Sequence, residues 1–205
     1  MEKLTLNYPA LVLASRNQHK LIELQQLFGI PQESLRLATD YPGAPDVEEN
    51  GDTFEANALI KARALRDFTG EWAVGDDSGL EVDSLDGAPG IYSARYAGEH
   101  GNDEANNRLL LQKLAPLATP RTAQFTCAIA LVSPDGHEFV AMGHCPGTIL
   151  HQGRGNNGFG YDPLFLPDGY DKTFAELPSD VKCSFSHRAV AAAKMREIMK
   201  NIFKQ

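Results

Sequence analysis

Asp76 and Asp77 stand side by side where the apolar run 72–74 gives way in the stretch AVGDDSGLEV. Adjacent carboxylates repel each other and resist burial unless solvent, a proton or a cation relieves the charge. Glu48 and Glu49 add two further carboxylates ahead of a helix-like segment. Hard oxygen donors of this kind suit Mg²⁺, which takes one or two carboxylates, keeps waters, and completes its shell with substrate phosphates. The four acids are therefore expected to share one cation. For Glu48 and Glu49 the alternative is a favourable interaction with a helix N-terminus. For the aspartates a functional role is expected, because strand ends are where α/β folds build sites.

Basic and aromatic residues supply a second kind of chemistry. The loop SRNQHK comprises Ser15, Arg16, Asn17, Gln18, His19 and Lys20, and lies where an apolar run passes into a helical pattern. Backbone N–H groups at a helix start favour anions, and Lys20 adds a full charge, so a phosphate could sit there. The plain alternative is that Asn17 caps the helix and Lys20 is solvated. Lys61, with Glu55 and Asn57, reads as a solvated helix face unless a cleft lies beside it. In GNNGFGYD, the glycines permit close backbone approach, and Phe159 or Tyr161 offers a ring for stacking on a nucleobase, with Gly160 and Asp162 between and beside them; the other reading is that the aromatics plug the core. KCSFSHR places Lys182, His187 and Arg188 just ahead of a terminal helix, as donors for base carbonyls or as solvent-facing groups.

The elements that must position these groups follow from periodicity. ALVLAS reads as a strand and HKLIELQQLFG as a helix with Leu21, Leu24, Leu27 and Phe28 on one side, closed by Gly29. A second helix is expected after a capping box of Asp52 and Glu55, with Phe54, Ala58, Ala62 and Leu65 as its apolar stripe and Gly70 at its end. EWAV opens a strand that ends at the aspartates; DEANNRLLLQKL is a third helix stopped by Pro116. TAQFTCAIALV, the turn SPDG and HEFVAMGHC predict an antiparallel pair, and GTILH a further short strand. The Gly-rich segment 153–177 is too irregular for helix or ladder, and AVAAAKMREIMKNIF is a terminal helix directing Val190, Ala193, Ile198 and Ile202 to the core. The 205 residues are read as one folding domain.

Composition narrows the partners. A formal net charge of −8 without a compensating basic run excludes a footprint that tracks a nucleic-acid backbone. The three cysteines are scattered and form no C-x-x-C pair, against a disulfide framework and in favour of a reducing cytoplasm. No apolar run approaches the ~20 residues of a membrane helix, and no signal-peptide pattern develops at the start.

Together, SRNQHK, FEANALIKA, DDSGLEVDSLDGAPGIYSARYAG, NGFGYDP and SHR resemble, in order and over nearly the whole chain, the inosine triphosphate pyrophosphatase family of house-cleaning dITP/XTP pyrophosphatases. The resemblance implies an elongated α/β mixed-sheet fold with two lobes flanking a central substrate cleft, and a homodimer. It implies Mg²⁺-dependent hydrolysis of ITP, dITP or XTP between the α- and β-phosphates, giving the monophosphate and pyrophosphate. Carried onto this chain, it makes Asp77 the proton acceptor and a metal-site residue, with Ser78 touching substrate and Glu48, Glu49 and Asp76 around the metal. Ser15 to Lys20 match the phosphate loop, Lys61 and Lys182 basic substrate contacts, and Phe159 to Asp162 with His187 and Arg188 the base-recognition elements. Arg16 takes a place often held by Gly in the family. Two other functions share these residue types: a nucleotide phosphomonoesterase, which would release orthophosphate, and a non-catalytic nucleotide sensor, which would bind without turnover.

Overall fold

Leu11–Leu13 forms a fully buried strand, β1, flanked by parallel partners on both edges, as in sheets whose faces are covered by crossover helices. The computed structural model describes residues 8–117 and 120–203; the start of the chain, read above for a signal peptide, lies partly outside them. After β1 come α1 (Gln18–Phe28), β2 (Leu35–Leu37), α2 (Phe54–Thr69), β3 (Trp72–Val82), α3 (Asp103–Leu114), β4 (Thr122–Val132), β5 (Glu138–Ile149), β6 (Phe165–Pro167), α4 (Ser179–Phe185) and α5 (His187–Ile202). The strands form one mixed sheet in the order β2-β1-β3-β4-β5-β6. β1 pairs parallel with β2 and β3, as helical crossovers require, while β5 and β6 are antiparallel. Among the described residues, no helix is long and apolar enough to cross a membrane.

The chain divides into two compact units. The first comprises Met1–Asp77, Ala128–Met142 and Ala189–Gln205. Its helices end as read: Gly29 and Gly70 adopt left-handed caps, at φ 64° and 71°. Leu21, Leu24 and Phe28 of α1 are buried, as are Phe54, Ala58, Ala62 and Leu65 of α2. The α2 cap, however, is Thr53, whose side chain accepts from the Ala56 N–H, rather than Asp52. α5 buries Ala191, Ala192, Met195 and Met199, whereas Ala193 is exposed; small and flexible side chains one position round the helix make the contact.

The second unit comprises Ser78–Cys127 and Gly143–Arg188. Its core gathers Leu80, Val82, Leu110, Leu114, Phe125, Tyr161, Phe165 and Phe174. Phe125 and Phe165 meet edge to face at 4.7 Å, a geometry aromatic quadrupoles favour. Aromatic packing also explains why the segment 153–177 is ordered and carries a strand, β6, that its Gly and Pro content obscured.

Three further boundaries differ from the sequence reading. β3 does not end at the aspartates; Asp76 and Asp77 lie in its middle, because the ladder continues through Leu80 and Val82, both fully buried. HEFVAMGHC and GTILH are one strand, β5, uninterrupted by Pro146. His187 opens α5 rather than preceding it, and SDVKCSF forms the short helix α4.

Candidate active site

Gly75 determines how closely β3 lies on α2. A Cβ at this position would stand 2.0 Å from the Ala58 carbonyl oxygen, so only glycine permits the contact. That approach brings the buried Lys61 of α2 against the strand, where its Nζ lies 3.2 Å from Asp77 Oδ1 and 3.0 Å from Glu49 Oε1. Successive strand residues point to opposite faces, and Asp76 finds its own cation, Lys20 in the first turn of α1. The two carboxylates are therefore adjacent in sequence but neutralised by different lysines.

Burial dominates the titration of Asp77 and pushes its pKa up, against the opposing field of Lys61. Burial also works against the charge on Lys61, but the neighbouring Asp77 and Glu49 carboxylates outweigh it and raise that pKa. Asp77 Oδ2 is buried and has no hydrogen-bond partner. An orphaned carboxylate oxygen beside a paired one is a ready acceptor for a proton or a metal bond. Among the described residues, no three His, Cys, Asp or Glu side chains are gathered so as to hold a metal by themselves. The four expected metal-site acids are thus not brought into one cluster: Glu48 is exposed, and Glu49, Asp76 and Asp77 face lysines. The orphaned oxygen of Asp77 nevertheless fits a Mg²⁺ that takes few protein ligands and completes its shell with water and phosphate.

The loop before α1 has the form anticipated for its alternative reading as a cap. Asn17 Oδ1 accepts from the His19 and Lys20 backbone N–H groups, and Ser15 Oγ accepts from the Asn17 N–H. Arg16, Gln18 and His19 are exposed, and Arg16 reaches Asp46 at 3.8 Å.

In the second unit, Asp162 is buried and accepts from Lys182 Nζ at 2.6 Å and from the Phe159 N–H at 3.0 Å. A Cβ on Gly158 would meet Asp162 Oδ2 at 2.0 Å, so this turn closes only around glycine. Lys182 lies 5.3 Å from the centre of the Phe159 ring, which is itself 46% exposed and open to stacking. Tyr161 is a core residue: its hydroxyl donates to the Ser93 carbonyl, and burial raises its pKa. His187 stacks on Phe125 at 4.8 Å, and the buried Arg188 donates to Ser78 Oγ at 3.2 Å.

Sequence reasoning placed Asn57 on a solvated face, yet it is fully buried, accepting from the Gly51 N–H. The signal was present: Phe54, Asn57, Ala58, Lys61, Ala62 and Leu65 complete an i, i+3, i+4, i+7 pattern only when the two polar residues are counted as buried.

The fold is a mixed α/β sheet; the first unit carries a lysine-paired carboxylate centre, and the second an aromatic, arginine-containing group. The chain belongs to the Ham1 family, whose model matches residues 11–198. It is 48% identical over 194 residues to the dITP/XTP pyrophosphatase of Desulforamulus reducens, covering 94% of this chain and 96% of that one. It is 50% identical over 190 residues to the dITP/XTP pyrophosphatase of Leifsonia xyli, covering 92% and 94%. The solved structure of the Staphylococcus aureus Ham1 protein is similar at TM-score 0.86 and 41% identity, covering 94% of this chain and 99% of that one.

Proposed function

We propose that this protein hydrolyses the non-standard purine nucleoside triphosphates dITP, ITP and XTP to the monophosphate and pyrophosphate, removing them from the nucleotide pool. The observation that carries the reading is the half-paired, buried Asp77 beside Lys61 in a chain close to relatives named dITP/XTP pyrophosphatases. Asp77 Oδ2 accepts the proton of a water aimed at the α-phosphate, while Lys61 on Oδ1 keeps the carboxylate oriented. Its raised pKa makes Asp77 a stronger base than an exposed aspartate once ionised. Lys20 and Lys61 supply positive charge to the triphosphate.

Mg²⁺ is proposed as cofactor; Asp76 and Glu49, each ion-paired with a lysine beside Asp77, are the carboxylates that would hold it while Asp77 Oδ2 serves the water, and when bound it would polarise phosphate oxygens and offset their charge. Phe159 stacks on the base, and His187 and Arg188 donate to its 6-oxo group. ATP, with an amine at that position, would offer these donors no acceptor, a mismatch able to discriminate by ~10⁴-fold. A homodimer and a cytoplasmic location are proposed on the motif resemblance and, for the latter, the scattered cysteines.

Arg188→Ala is expected to narrow the preference for ITP over ATP while leaving the Mg²⁺ dependence of turnover unchanged, as measured by kcat/KM on each nucleotide across a metal titration. An unchanged preference would remove Arg188 from base recognition.

A further inference from the structure

Helix α3 holds the loop carrying Phe159 by both polar groups of a single peptide residue. Asp103 Oδ2 accepts from the Gly160 N–H at 2.6 Å, and Asn107 Nδ2 donates to the Gly160 carbonyl at 2.8 Å. The two side chains are i and i+4 on α3, hence on one face of the helix. Gly160 has φ 61°, a left-handed conformation that a side chain would strain, so glycine allows the loop to offer both groups to the helix. Asn107 Oδ1 is buried without a hydrogen-bond partner. The amide thus satisfies the loop carbonyl at the expense of its own, which a residue serving only to complete the helix surface would have no reason to do.

The same helix also fixes a second loop from a neighbouring position. Asn106, almost fully buried, accepts from the Ala97 N–H and donates to the Ala94 carbonyl. Ser93, just before it, accepts from the Leu80 N–H of β3 through Oγ and from the Tyr161 hydroxyl through its carbonyl. Phe159, whose own N–H is held by Asp162 Oδ2, is therefore followed by two residues that are both tied down: Gly160 to α3, and Tyr161 to the Ser93 loop.

We propose that Asp103 and Asn107 are positioning residues for substrate, acting through Gly160 to fix the direction of the Phe159 ring. This rests on the reading of Phe159 as the base-stacking residue. Ordering the ring before substrate arrives reduces the entropy lost on binding and so lowers KM without entering the chemical step.

The test compares Asn107→Ala, Asp103→Ala, Asp103→Asn and Phe159→Ala by steady-state kinetics on dITP and by hydrogen exchange at the Gly160 amide. Asn107→Ala and Asp103→Ala are expected to raise KM about tenfold with kcat within about twofold, as loss of a polar anchor implies. Asp103→Ala should also speed Gly160 exchange, and Asp103→Asn, which retains an acceptor, should recover most of the KM. Loss of kcat with KM unchanged, or equal falls in melting temperature for the rescued and unrescued variants, would overturn the inference. If Phe159→Ala raises KM while the two clamp variants do not, the clamp fails and base stacking stands. If Phe159→Ala leaves KM unchanged, base stacking fails, and the inference fails with it even if Gly160 exchange still quickens in Asp103→Ala.

Discussion

Asp77 holds opposed demands. As the proposed base it must be ionised, yet its burial makes that ion unfavourable in the folded chain. Because its folded pKa lies above the unfolded value of 3.8, its contribution to stability is fully present below that value and is lost as pH rises through the raised pKa. Asp77→Asn is expected to lower turnover at least ~10²-fold, the scale of a lost general base. Melting curves of the two proteins should also diverge in the wild type's favour as pH falls from 7 toward 4; parallel curves would show that Asp77 is not destabilised by burial. Cys145 gives an independent check on the interior of the second unit. Burial pushes its thiol up to about 12, so native protein at pH 8 should resist alkylation at Cys145, whereas denatured protein should react fully, as read by peptide mass spectrometry. Rapid native labelling would contradict the packing around β5.

At the scale of elements, the contact between β3 and α2 sets the position of Lys61. Gly75→Ala forces a methyl onto the Ala58 carbonyl and is expected to destabilise by about 2–3 kcal/mol, as overpacking does, with turnover falling because Lys61 is displaced from Asp77. Thr53→Ala removes only the cap of α2 and is expected to cost about 1 kcal/mol with little change in kcat. Denaturant titration with activity measured on the folded fraction separates the two. Helices were the most legible elements, because α1, α2 and α3 carry both apolar spacing and local stop signals in Gly29, Gly70 and Pro116. The short strands β2 and β6 were not, since three residues offer no period and their pairing depends on distant partners. Asp76 and Asp77 likewise hid the continuation of β3: two charges look like a boundary until the lysines that neutralise them, one from each of two helices, are in place.

For the whole molecule, the candidate residues were legible in type and order, but their pairings were not. Lys61 with Asp77 and Glu49, and Lys182 with Asp162, are products of tertiary structure. Those pairings change the reading of the carboxylates from four acids sharing one cation to a sparse site in which Asp77 keeps one buried oxygen without a hydrogen-bond partner. The proposed reaction is cleavage between the α- and β-phosphates of a 6-oxo purine nucleotide that lacks the 2-amino group of GTP. The most direct measurement incubates the protein with dITP, ITP, XTP, ATP and GTP, with and without Mg²⁺, and identifies the phosphate product. Pyrophosphate and monophosphate are expected from dITP, ITP and XTP, only with Mg²⁺, with little of either from ATP or GTP. Orthophosphate as the product, or tight binding of these nucleotides with no turnover, would contradict the proposed reaction.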